Sequence, residues 1–81
     1  MAKNDNDFRT SDTALAAFLT SEGHPATLEF SNGFRATFVF NHTDPKLDKL
    51  ISDFDTARAK GNIVLFFNAY QTLLRRIRER Y

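Results

Sequence analysis

The stretch FSNGFRATFVF, residues 30–40, constrains the fold more than any other part of this chain. Asn-Gly set between alternating apolar residues is a strong hairpin signal, because Gly accepts the positive φ that tight turns demand. Loop length then decides which side chains share a face. A two-residue Asn32-Gly33 loop pairs residues whose numbers sum to 65, setting Leu28 opposite Thr37 and Thr27 opposite Phe38. Successive side chains alternate faces, so each face would be half apolar and half polar. A three-residue loop, Ser31-Asn32-Gly33, moves the sum to 64. Phe30 then meets Phe34, Leu28 meets Ala36 and Ala26 meets Phe38 on one face, while Glu29/Arg35 and Thr27/Thr37 pair on the other. Each such pair contributes roughly 0.2–1 kcal/mol. The expected hairpin therefore uses the longer loop, with Gly33 left-handed at a G1 bulge.

An isolated hairpin is marginal in water, so the face carrying Phe30, Phe34, Phe38 and Phe40 must be covered by the rest of the chain. Helices are the available cover. Upstream, Thr10 or Ser11 can cap a helix over residues 12–22, with Asp12 in its first turn, Leu15, Phe18 and Leu19 at helical spacing, and Gly23 as a left-handed stop. Downstream, Asp44-Pro45 opens a second helix with the stripe Leu47, Leu50, Ile51, Phe54 and Ala57, ended by Gly61. Asn62 caps a third helix, whose seam is Ile63, Phe66, Phe67, Tyr70, Leu73, Leu74 and Ile77. Residues 1–8 are expected to form a disordered tail. Residues 9–81 form one small domain. The fold class is α+β, a helix–β-hairpin–helix–helix order (αββαα) with the helices packed on one face of a two-stranded antiparallel sheet.

Size makes that packing demanding. A chain of 81 residues buries only about 60–65% of its unfolded surface. Nine Phe and two Tyr supply a large apolar area from few positions. Without cysteine, neither disulfides nor thiolate metal sites support the fold, and a cytoplasmic location is expected. The opening MAKNDNDF has no basic region followed by an apolar run, so no secretory signal is expected. No stretch reaches the length of a membrane span. A net charge of +1 with interspersed signs gives no general drive toward nucleic acid or anionic lipid.

The opening FRTSDTALAAFLTSEGH, the hairpin ending FVF, the acidic-apolar second helix and the closing FFNAYQTLLRRI together resemble a known family. It comprises small single-domain prokaryotic proteins, also met in phage and mobile-element genomes, and is defined as a domain of unknown function. The resemblance runs from Phe8 to Ile77 and rests mostly on apolar core positions and caps. It implies the same element order and an accessory role. It carries no catalytic or ligand residues to transfer.

The residues themselves point away from catalysis. His24 and His42, with Glu22 and Asp44 nearby, fall near one end of the hairpin but lack metal-ligand spacing, and read as solvated turn residues. Asp53 and Asp55 lie on different sides of a helix, and Asp5/Asp7 fall in the tail. There is no nucleophile elbow, phosphate loop or dinucleotide fingerprint. No enzyme activity, metal or cofactor is expected. The charged feature that stands out is RRIRERY, with Arg75, Arg76, Arg78 and Arg80 at a helix end; together with Arg35 these are the candidate contacts for a partner or nucleic acid. Cations also complement a helix C-terminus, and Glu79 interrupts the run. The expected function is a non-enzymatic protein-interaction module using the hairpin edge or third helix, with self-association into a homodimer as one form. The alternative is a nucleic-acid-binding accessory protein.

Overall fold

The structure, a computed structural model, describes residues 7–31, 35–43 and 45–80. In chain order the elements are β1 (Asp7–Thr10), α1 (Thr13–Ser21), β2 (Thr27–Ser31), β3 (Arg35–Asn41), α2 (Pro45–Asp55) and α3 (Ile63–Arg80). The α+β class and the three helices match expectation. The two-stranded sheet does not. The sheet has three strands in the order β1-β3-β2, with both neighbours antiparallel to β3.

The added strand is drawn from the segment assigned to the tail. Asp7 and Phe8 pair with Asn41 and Phe40, while residues 1–6 lie outside the described residues. Phe8 points to the inner side, its ring 6.3 Å from that of Phe40, and Arg9 to the outer side opposite Val39. Thr10 is held in the ladder opposite Phe38, so it cannot begin a helix. Its hydroxyl accepts from Asp12 N–H at 3.0 Å. Asp12 is the true cap of α1, its Oδ1 accepting from Ala14 N–H at 3.0 Å and Leu15 N–H at 3.2 Å.

The hairpin register corrects the expected one by a single step along the chain. Paired numbers sum to 66: Ser31 meets Arg35, Phe30 meets Ala36, and Leu28 meets Phe38. Three residues still separate the last pair, but they are 32–34 rather than 31–33, and all three lie outside the described residues, as does Phe34's expected place in the core face. Because both sums are even, the assignment of side chains to faces is unchanged. The gain is in the core, where Leu28 lies against fully buried Phe38 instead of Ala36.

Five consecutive residues of α1, Leu15 to Leu19, are buried, so this helix meets neighbours on all sides. Around it gather Phe38 and Phe40 of the sheet, Leu47 of α2 and Leu73 of α3, each at most 1% exposed. None of the outward sheet residues joins that cluster. α1 ends in a Schellman arrangement: His24 N–H donates to Leu19 C=O and Gly23 N–H to Thr20 C=O, with Gly23 at φ 98°.

α2 ends in the same way, four residues before the expected stop at Gly61. Arg58 N–H donates to Asp53 C=O and Ala57 N–H to Phe54 C=O, which places Ala57 at φ 61°. Ala57 is therefore exposed rather than part of the apolar stripe. Gly61 lies in the linker instead, where a Cβ would come within 2.8 Å of Glu22 Oε2, the far end of an exposed side chain that can swing aside. A left-handed L-residue costs about 1–2 kcal/mol that glycine does not incur. Ala57→Gly should accordingly stabilise the domain by about 1 kcal/mol, raising the urea midpoint. An unchanged or lowered midpoint would contradict this cap geometry. The expected Asp44 cap of α2 lies outside the described residues.

Candidate functional site

α3 is the element with surface to spare. Asn62 caps it as expected, Oδ1 accepting from Val64 N–H at 2.8 Å and Leu65 N–H at 3.0 Å. Its inner side, Phe66, Ala69, Tyr70, Leu73 and Ile77, packs on the α1-centred core. Three residues of the expected seam leave it. Ile63 is 79% exposed and Phe67 56% exposed, and Leu74 is half-buried without joining the core cluster. Val64 and Leu65 are also more than half exposed.

Ile63, Phe67, Tyr70 and Leu74 recur at spacings of four, three and four. That is the seam by which one helix packs on another. Tyr70 of that series packs on the core and stacks on Phe66, so Ile63 and Phe67 with half-buried Leu74 remain outward, while Val64 and Leu65 lie on other sides of the same first turns. Beside Ile63 a groove of about 270 Å³ opens between α1, α2 and the linker, lined by Phe18, Phe54, Ala59 and Phe66 among others. Ile63 also lines the groove, whose remaining lining includes the polar residues Ser21, Lys60 and Asn62.

The candidate arginines do not form a cluster. Arg75 and Arg78 are exposed on the outward side of α3 with no carboxylate partner among the described residues. Arg76 turns the other way, its Nη2 donating to Ala26 C=O at 3.5 Å beside Leu28, Phe30 and Glu79. Arg80 lies in the last turn of α3. Arg35 is exposed on β3, in register with Ser31. The partner expected for it, Glu29, lies opposite Thr37 and is bound instead by Arg9 of β1. That ion pair crosses the outer sheet face above the middle strand, where Val39 is only 8% exposed.

The histidines, both at the open end of the hairpin, make different local contacts. His42 Nε2 lies 2.5 Å from Asp48 Oδ1 and its ring meets Phe8 edge-on, tying the end of β3 to α2. His24 belongs to the stop of α1. Among the described residues no group of three His, Cys, Asp or Glu side chains could hold a metal ion. No described helix is long and apolar enough to cross a membrane.

The hairpin edge changes character too. One edge of β3, counted as free in a two-stranded sheet, is occupied by β1. The outer edges that remain are β1 and β2, of four and five residues, and short edges are poor templates for pairing.

These features define a small α+β domain in which one buried helix organises a three-stranded sheet and two further helices, the last presenting exposed apolar side chains in its first turns. The family model of a domain of unknown function, DUF5659, matches residues 5–79, and the chain belongs to that family. No curated protein and no solved structure matches it.

Proposed function

We propose that this domain is a non-enzymatic protein-interaction module of the cytoplasm, engaging its partner through the exposed first turns of α3. The observation that carries the reading is the exposure of Ile63, Val64, Leu65 and Phe67, all above half, around the first turn and a half of α3. Scattered single hydrophobics are normal on a surface, whereas a contiguous group of this kind marks a contact site. The chemistry it fits is an apolar, uncharged helix face of another protein.

Nucleic-acid binding is the second reading, favoured by the exposure of Arg75 and Arg78. It would use those residues with Arg76, Arg80 and Arg35. A tagged-protein capture with and without nuclease separates the two. For the protein reading, the same identified protein should be retained after nuclease, lost with Phe67→Asp, and kept when Arg75, Arg76, Arg78 and Arg80 are replaced by Gln. Nuclease-sensitive capture, or salt-dependent DNA or RNA binding abolished by the arginine replacements, would instead establish the second.

A further inference from the structure

A second cleft, of about 570 Å³, is bounded by α1, α2 and the linker of residues 56–62. We infer that it binds a small organic phosphate, an apolar ring carrying a phosphate monoester. Its volume falls within the span of small-molecule sites, about 300–1,000 Å³.

The charge of the mouth selects an anion. Lys49, Arg58 and Lys60 line it together with a single carboxylate, Asp53. That carboxylate is taken, since Lys49 Nζ donates to Asp53 Oδ2 at 3.1 Å. Neither Arg58 nor Lys60 has a carboxylate partner among the described residues. Nor are these cations used to cap α2. The C=O groups of Ser52, Asp53 and Phe54 already accept from the backbone N–H of Thr56, Arg58 and Ala57. Two unneutralised cations thus share one opening, in a chain whose net charge is only +1.

The backbone fixes them there. After left-handed Ala57 the chain leaves α2, and Ala59 packs on the core. Its neighbours Arg58 and Lys60 are both exposed and both reach the cleft. A phosphate monoester carries about −1.5 to −2 at neutral pH, which matches two cations. The planar fork of Arg58 suits two of its oxygens, and Lys60 adds a point charge.

The lining beneath selects an apolar body. Phe18 and Leu50 contribute to it, and Phe18 is buried and held by stacking on Phe54 at 5.8 Å between ring centroids. A bare inorganic ion would leave that surface uncovered, and a neutral ring would leave the cations without a partner.

Amide NMR of the full chain, titrated with naphthyl phosphate in about 0.15 M salt, tests the inference. Saturable shifts should gather at Leu50, Asp53 and residues 57–60. Inorganic phosphate and naphthol, each holding half of the chemistry, should bind about ten-fold more weakly. Arg58→Gln combined with Lys60→Gln should weaken naphthyl phosphate by about ten-fold or more, with the parent's melting curve, because both side chains are exposed. Arg75→Gln combined with Arg78→Gln should leave binding unchanged, as should Phe67→Asp. The site is overturned by the absence of saturable shifts at the cleft, or by equal binding of inorganic phosphate or naphthol. Binding that survives loss of Arg58 and Lys60 overturns it too, as does binding that falls equally with Arg75 and Arg78. Phe67 takes no part here, so the α3 contact reading stands or falls separately, by partner capture.

Discussion

Phe38→Ala is expected to lower the stability of the domain by about 3–5 kcal/mol, read as a large drop in the urea midpoint. Phe38 is fully buried on the middle strand, in register with Thr10 on one side and Leu28 on the other. Truncation removes the ring's transfer energy and leaves a cavity that three strands, hydrogen-bonded in place, cannot collapse to fill. Domains of this size hold total stabilities near the low end of about 5–15 kcal/mol, so the variant should be substantially unfolded at 25 °C. A midpoint equal to the parent's would remove Phe38 from the core.

The second large effect falls on α1. Leu19→Ala should cost about 2–5 kcal/mol, and the helix geometry places it in the upper part of that span. Leu19 has no exposed surface, and its flanking residues Ala16, Ala17 and Phe18 are buried as well. Alanine is already the small partner at two of these positions, so no neighbour has volume to lend. Circular dichroism melts of Leu19→Ala and Phe67→Ala under dilute conditions form the test. The first should melt many degrees lower and the second close to the parent. Equal losses would mean the inner and outer sides of the structure are wrongly divided.

The face assignment of the hairpin was legible because it depends only on parity. Any even register sum places Leu28, Phe30, Ala36, Phe38 and Phe40 together, and the chain adopts 66 where 64 was expected. The exact step is set elsewhere, by packing Leu28 against Phe38 and by the Arg9–Glu29 ion pair, neither of which local alternation contains. β1 was not legible for a related reason. Asp-Phe-Arg-Thr offers one apolar residue in four, too short for a period to show, and its strand conformation is conferred by the waiting edge of β3. The early end of α2 was hidden because Ala57 is an ordinary helix former and Gly61 the conventional stop. Tertiary packing placed the left-handed residue where sequence offers no glycine.

At the candidate site the limit was different. Ile63, Phe67 and Leu74 were assigned to the core because apolar periodicity reports that a helix face is covered, not by which molecule. The core side of α3 and the exposed residues of its first turns both read as apolar periodicity, and only the position of α1 shows which are used within the chain. The arginines were legible as a feature and not as a site. Helical spacing already sent Arg76 and Arg75 to different sides, and the structure gives Arg76 a carbonyl on β2.

The placement of β3 between β1 and β2 has a consequence for the order in which the molecule assembles. β2 and β3 are neighbours in sequence and can zip locally, on the microsecond scale of hairpins. β1 must wait: Asp7 finds Asn41 only after α1 and the whole hairpin have been laid between them. On a chain emerging from its N-terminus, the first strand made is thus the one that cannot pair until the middle strand exists. Until it pairs, Val39 and Phe40 present an open backbone edge, and the time spent in that state, rather than the stability of the finished sheet, sets the exposure to misassembly.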